Sequence, residues 1–370
     1  MQPQLAFSIT STIKDIPKAY WDNLFGQSLI ESYGYQKTLE EANLKEFSLG
    51  YLLAKRQEKL VAIIPFFSMA FPLAAMTGGL LPWLKIKILF LGSPTAEEFY
   101  LGISESEDLN PILSGAVEHL KKFCRRQKIK LIAFNNVTAK NTALMECLSG
   151  NNFIKMETLP TTIIEINANS LEDYIKQLSP NARKDLNRKL KKSAALTQLK
   201  TQEYENIRDI KEKIYSLYMN NFDGSSVRFE TLTPEFFENI CKNMPDTAKF
   251  FVTYDKDKIV AFNLCLMKDR LFIDKFIGFD SAVAHDYHLY FTTFCHNLNW
   301  CIKNGFKYYQ PGTTDYYPKV RLGAKLIPLY VYVNALNPLL QALIKLIAPL
   351  IEPKKLDPSL RNIEKLQNKN

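Results

Sequence analysis

Two stretches of this chain recur, in the same order, in its second half. AKRQEKLVAII (54–64) is echoed by TYDKDKIVAFN (253–263) at an offset of 199, and CRRQKIKLIAF (124–134) by CIKNGFKYYQP (301–311) at an offset of 177. A chain of 370 residues has room for roughly two domains at ~150 residues each, so ordered self-similarity predicts two copies of one α/β unit. The offsets differ by 22 residues, which predicts an insertion between hairpin and helix of the first copy. The apolar stretch 69–91 falls there.

Local patterning agrees with a strand-rich unit. In 249–278, FFVTY, IVAFNLCLM and LFIDKFIGF are aromatic and β-branched runs separated by the polar turns DKDK and KDR, the pattern of a β-meander. Residues 286–303 read as a helix with Tyr290, Phe294, Leu298 and Cys301 on one face, stopped by Gly305. FKYYQ follows as a strand, and RLGAKLIPLYVYV closes the unit. The first half has a hairpin in GYLLAKRQEKLVAIIPFF, short strands in ILFLG and EFYLGIS, a helix over 109–128 and a strand in IKLIAFNN. TTIIEIN ends near 167 and Ser170 is placed to cap a following helix. The expected division is therefore 1–168, 169–336, and an apolar helix with a polar tail over 337–370.

The net charge of +9 is unevenly spread: residues 1–165 carry a net of +1 and residues 166–370 a net of +8. LSPNARKDLNRKLKK (178–192) alone holds six basic residues against one acidic. Ser179-Pro180 is a good helix start, and Ala182, Leu186 and Leu190 at spacing four give it a buried side. Its cations, among them Arg183, Arg188 and Lys192, then read either as phosphate contacts or as a solvated face. The six Cys form no CxxC pair and several lie in apolar runs, so reduced, buried thiols of a cytoplasmic protein are expected. The N-terminus has no signal-peptide pattern. Neither 69–84, broken by Pro and Gly, nor 337–351 reaches the ~20 apolar residues of a membrane span. The second stretch reads as a helix packed on a domain or as an interfacial helix on the inner face of an anionic membrane, with contact through 337–355.

Three further places concentrate chemistry. In QPGTTDYYPKVRLGAKLIPLY (310–330), Thr314, Asp315, Tyr316, Tyr317 and Lys319 gather just after a strand end, where α/β folds place ligands; a polar loop with packed Tyr is the other reading. Strand alternation sets Asp274 on one side with Phe272 and Phe276, an apolar setting that would raise its pKa and suit a general base, unless it sits at an edge facing water. In HDYH (285–288), His285 or Asp286 is placed to cap a helix whose N-terminus can receive an anion. The His and Cys spacings do not fit zinc, and no metal is expected. Dinucleotide, P-loop, zincin and nucleophile-elbow motifs are absent, as is any standard DNA-binding motif.

The second half resembles the GNAT-type acyltransferase domain of FemAB-like proteins. The resemblance runs through LSPNARKDLNRKLKK, the hairpin FFVTYDKDKIVAFNLCLMKDRLFIDKFIGFD, the helix ending in CIKNGFKYY and TTDYYPKVRLGAKLIPLY, together about 178–333; SLIESYGYQKTLEEA (28–42) carries a weaker likeness. It implies an α/β (α+β) fold of two tandem GNAT-like domains, each a mixed twisted sheet flanked by helices. It implies acyl transfer from acyl-CoA, acetyl-CoA included, to a small-molecule or precursor amine. Lys319 would meet donor phosphate or developing negative charge, Arg183, Arg188, Lys192 and His285 would hold donor phosphate, and Thr314 and Asp315 would bind acceptor. Asp274 would take the amine proton, and Tyr316 or Tyr317 would return one to the leaving group. Residues 280–288 lack the glycine-rich pyrophosphate loop of ordinary GNATs, and no long coiled-coil insertion of the aminoacyl-tRNA-dependent enzymes is present. The second alternative is an aminoacyl-tRNA donor with a cell-wall acceptor; the third is a non-catalytic module that recognises a precursor or a membrane.

Overall fold

A computed structural model describes residues 4–26, 28–72, 83, 85–224, 231–350, 353, 357, 359–361 and 363. Its strands are β1 (Leu5–Thr10), β2 (Ser48–Arg56), β3 (Lys59–Pro72), β4 (Lys85–Leu91), β5 (Gly102–Ile103), β6 (Leu131–Thr138), β7 (Ile154–Glu165), β8 (Leu199–Tyr204), β9 (Ala248–Asp255), β10 (Lys258–Lys268), β11 (Leu271–Phe279), β12 (Tyr308–Gln310) and β13 (Lys325–Ala335). The helices are α1 (Lys18–Phe25), α2 (Tyr33–Glu41), α3 (Leu109–Arg126), α4 (Thr142–Gly150), α5 (Leu171–Gln177), α6 (Pro180–Leu196), α7 (Lys211–Gly224), α8 (Pro234–Asn243), α9 (Leu289–Lys303), α10 (Tyr316–Arg321) and α11 (Pro338–Ile347).

The chain forms two compact units, 1–161 with 327–362, and 162–326 with 363–370. In the first, the strand order is β1-β2-β3-β4-β6-β13; in the second it is β8-β9-β10-β11-β12-β7. Each unit is an antiparallel meander whose last strand is followed by a helix and a parallel partner: β4, α3, β6 in one and β11, α9, β12 in the other. The two sequence echoes occupy equivalent places. The first is the β2–β3 and β9–β10 hairpins; the second is the end of α3 or α9 running into β6 or β12.

The ends of the units differ from the sequence expectation of 168 and 336. The division falls within β7, and β13 pairs antiparallel with β6, Ala335 opposite Leu131, so that RLGAKLIPLYVYV completes the first sheet and not the second. Strand pairing over such a separation leaves no local mark. The stretch 69–91 is in part an extension of the hairpin: Phe66 to Pro72 pair with Leu91 to Lys85, while 73–82 and 84 lie outside the described residues. Most of the tail expected over 352–370 does too.

In the second unit, β11 is packed on both faces. Gly278 meets α7 so closely that a Cβ there would lie 2.6 Å from the Leu217 carbonyl carbon and 2.7 Å from the Tyr218 amide nitrogen. Backbone cannot step aside as a side chain can, so Gly278→Ala is expected to destabilise the chain by about 1–3 kcal/mol, read as a lower urea midpoint.

Candidate active site

The centre of the second unit is a buried carboxylate. Asp274 is 8% exposed. Asn263 Nδ2 donates to its Oδ1 and Oδ2 at 3.0 and 2.8 Å, Asn297 Nδ2 to Oδ2 at 3.2 Å and the Tyr309 hydroxyl to Oδ2 at 2.9 Å. The Cys265 thiol lies 3.8 Å from Oδ1. Burial raises the Asp274 pKa, and these donors with the Lys319 charge hold it partly down. Its burial and these donors exclude the reading of an edge carboxylate that faces water.

A bulge sets which face Asp274 uses. Cys265 pairs with Asp274 but Leu264 with Phe276, so Lys275 is the extra residue. Asp274 therefore shares a face with Phe272, which packs on Trp300 and Tyr309, whereas Phe276 points the other way, onto Tyr218, Phe236 and Phe237. The expected Phe272–Asp274–Phe276 alternation is thus broken after Asp274. β11 and β12 pair over only three residues, Leu271 to Ile273 with Tyr308 to Gln310. The chain then turns at Gly312 (φ 77°) and holds two successive left-handed residues, Thr314 (φ 63°) and Asp315 (φ 47°), an arrangement costing about 1–3 kcal/mol per residue.

Lys319 anchors that loop. It is 5% exposed, and its ammonium donates to the Thr313 and Thr314 carbonyls at 2.8 and 2.7 Å. Tyr316 is fully buried, while Tyr317 stacks its ring on Arg321, 5.8 Å from the ring centre. Arg321 in turn reaches Asp185 on α6. Lys319 and the Thr314 carbonyl are thus brought together beside Asp274; Tyr317 sits toward α6.

The basic helix α6 lies against the start of α9. Ser179 and Pro180 begin it as expected, with Ser179 Oγ accepting from the Ala182 amide at 3.4 Å, and Ala182 and Leu186 are buried. Arg188 and Lys189 bind Asp185, and Lys189 also lies 3.7 Å from the Phe291 ring centre. Burial lowers the His288 pKa, and the nearby basic side chains, Lys192 first, lower it further. Arg183 instead donates to the Lys176 carbonyl at 3.1 Å, toward α5.

α9 begins at Leu289, three residues later than the sequence pattern predicts, because 281–288 form turns and His288 is left-handed (φ 51°). Neither His285 nor Asp286 caps the helix: His285 is exposed and bonds to Asp286. The Leu289 amide donates to the Ala284 carbonyl, and those of Phe291 and Thr292 to the His288 carbonyl. Three amides that an incoming anion would need are thus bonded within the chain.

The sequence matches the FemAB-like family, described as peptidoglycan biosynthesis/recognition, over residues 95–345. The chain belongs to the FemAB-like family. It is similar in fold to FemX (TM-score 0.57, 11% identity, 91% of this chain and 100% of that one). It is also similar to a tandem GNAT protein from the clavulanic acid biosynthesis pathway (TM-score 0.52, 8% identity, 90% and 99% covered). A third similar structure is a conserved protein of unknown function from Bacteroides thetaiotaomicron VPI-5482 (TM-score 0.55, 10% identity, 90% and 100% covered). The fold is thus that of tandem GNAT proteins. No curated protein matches the chain in sequence.

Within this FemAB-like fold, sequence reading missed the partners of Asp274. Asn263 is the lone amide in the apolar run IVAFNLCLM, and Asn297 lies on the buried side of α9; both are polar residues in apolar surroundings. Asn263 Oδ1, Asn297 Oδ1 and the Tyr290 hydroxyl are buried without a hydrogen-bond partner. The Tyr290 pKa is raised by burial and by the charges of Asp315 and Asp274. A second buried carboxyl, Glu31, lies in the first unit, within the stretch SLIESYGYQKTLEEA. Gln36 Nε2 donates to its Oε2 at 2.7 Å and the Ser93 amide to its Oε1 at 3.0 Å, and burial pushes its pKa up to about 8. All six cysteines are free and buried.

Proposed function

We propose that this FemAB-like protein transfers an acyl or aminoacyl group to an amine, and that the second unit carries the reaction. The observation that supports it most is the Asp274 cluster. Leaving a buried polar atom unbonded costs roughly 1–3 kcal/mol, and both asparagines that hold the carboxylate carry such an atom. Both are amide oxygens, so the group that complements them is an N–H or O–H donor, as an amine acceptor is. The family description favours a peptidoglycan precursor as the source of that amine.

In this reading the acceptor amine bonds Asn263 and Asn297 through its protons, which aims its lone pair at the donor carbonyl carbon. The C–N bond forms, the bond from carbonyl carbon to the donor's sulfur or oxygen breaks, and the amine proton goes to the leaving group. Asp274 already accepts from two amides and a phenol. It therefore acts as a positioning residue whose negative charge favours the cationic form of the attacking amine. Tyr316 or Tyr317 returns the proton, with Tyr290 joining them as a candidate. Lys319 fixes the loop and offsets negative charge on the carbonyl oxygen. Beyond Ile273, β11 runs on without pairing to β12, and its backbone can bond an extended amide-bearing donor arm as an added strand would. Arg188, Lys192 and His285, gathered about α9, are the proposed phosphate contacts, with Arg183 farther along. Thr314 and Asp315 are the proposed acceptor contacts.

Acyl-CoA is the first donor reading and aminoacyl-tRNA the second. The full chain is assayed for thiol release with a panel of acyl-CoAs and amines, and for transfer from charged tRNA to a soluble cell-wall peptide. Thiol release that requires the amine supports acyl-CoA. Transfer from tRNA, with affinity falling steeply and linearly in log salt, supports the second donor. No turnover with either overturns the transferase reading.

A further inference from the structure

Three segments meet at one end of the first unit's sheet. Ala335, the last residue of β13, lies opposite Leu131, the first of β6, and Leu131 lies opposite Ile88 of β4. Hence α11, which follows β13, the end of α3, which precedes β6, and the start of β4, with Trp83 just before it, all lie at that end. The Leu336 amide bonds the Lys130 carbonyl and the Lys130 amide the Lys87 carbonyl, tying the three together.

This end is apolar at its tips. Leu339, Trp83 and Leu346 are 82%, 77% and 75% exposed, the three most exposed large apolar side chains among the described residues. Leu339, Leu343 and Leu346 recur at i, i+4 and i+7 on the outer face of α11, while Ile344 is buried on its inner face. Gln341 pins the helix, accepting from the Ala335 amide at 2.6 Å and donating to the Asn152 carbonyl at 2.8 Å. A helix face of leucines is ordinarily covered, yet Leu339, Leu343 and Leu346 are held facing outward.

The same end is basic. The segments 83–91, 119–131 and 335–351 contain nine Lys and Arg and no Asp or Glu. Lys85, Lys87, Arg125, Arg126, Lys128 and Lys130 are exposed. Burial and the Arg125 charge lower the Lys121 pKa.

We infer that this end of the first unit docks on an anionic phospholipid bilayer, with Trp83 and the outer leucines of α11 entering the interface and the surrounding cations meeting lipid phosphate. Protein interfaces are depleted in Lys, and a two-fold contact with a second copy would press two basic rings together. An anionic membrane satisfies both the leucines and the lysines. No helix among the described residues is long and apolar enough to cross a membrane, so the contact is peripheral.

The test uses the full chain and vesicles of phosphatidylcholine alone or mixed with phosphatidylglycerol. Sedimentation with the mixed vesicles, weakened by salt and nearly absent with phosphatidylcholine alone, is expected. Leu339→Asp with Leu346→Asp should weaken it at least tenfold, and Lys85→Glu with Lys87→Glu by roughly fivefold or more per residue. All four sites are exposed, and unfolding midpoints close to the parent's establish that the variants fold. Equal binding to both vesicles, no binding to either, or a dimer by light scattering that Leu339→Asp dissolves would overturn it. The transferase assay on soluble substrates is independent, since none of these residues belongs to the Asp274 cluster.

Discussion

Replacing Asp274 with alanine is expected to cost about 3–5 kcal/mol of stability, because it strands several buried donors at roughly 1–3 kcal/mol each. It leaves the Asn263 and Asn297 amides and the Tyr309 hydroxyl facing a cavity, each now short of an acceptor. Asp274→Asn separates structure from chemistry. The new amide keeps the volume and one oxygen, and the neighbouring asparagines can rotate their unpartnered Oδ1 atoms toward its N–H groups. Most of the stability should therefore return. The negative charge does not return, so transfer should stay depressed by about 10²–10³, the usual loss when one group that stabilises transition-state charge is removed. Urea unfolding of both variants and single-turnover transfer by Asp274→Asn make the measurement. Full turnover by a stably folded Asp274→Asn protein would reduce Asp274 to a packing residue.

The features legible in the sequence were those written locally. Polar residues between apolar runs, DKDK in the second unit, marked the β2–β3 and β9–β10 hairpins, and Ser170 and Ser179 marked the starts of α5 and α6, where each hydroxyl accepts from a backbone amide as expected. Features that depend on distant parts of the chain were not legible. The return of β13 to the first unit rests on pairing with β6, nearly 200 residues earlier. The bulge at Lys275 exists because of what β10 does opposite it, so alternation alone put Phe276 on the wrong face. The left-handed His288 delays α9 without any glycine to announce it. At the site, Asp274 and Lys319 could be singled out as charges in odd company. Asn263 and Asn297 could not, because an isolated amide becomes informative only once the carboxylate it serves is in view.

Glu31 supplies a prediction in which pH alone is the variable. Its pKa rises from the ordinary 4.5 to about 8 on folding, because burial penalises the carboxylate more than the Ser93 amide stabilises it. Below the unfolded value both states hold the proton and burial of this group costs nothing. Between about pH 4.5 and 8 the unfolded chain releases the proton while the folded chain keeps it, so stability falls as pH rises, by roughly 1.4 kcal/mol per unit. Above 8 both states are ionised and the loss levels off at about 4–5 kcal/mol. Glu31→Gln removes the titration while still offering an oxygen to the Ser93 amide, and Gln36 can turn its own oxygen toward the new N–H groups. The variant should match the parent near pH 5 and exceed it progressively up to pH 8, with a constant difference beyond. Other buried acids, Asp274 among them, tilt both curves alike, so the difference between the proteins isolates Glu31. Urea midpoints at pH 5, 7 and 9 decide it: parallel curves would mean that the folded protein already carries Glu31 as a carboxylate at neutral pH.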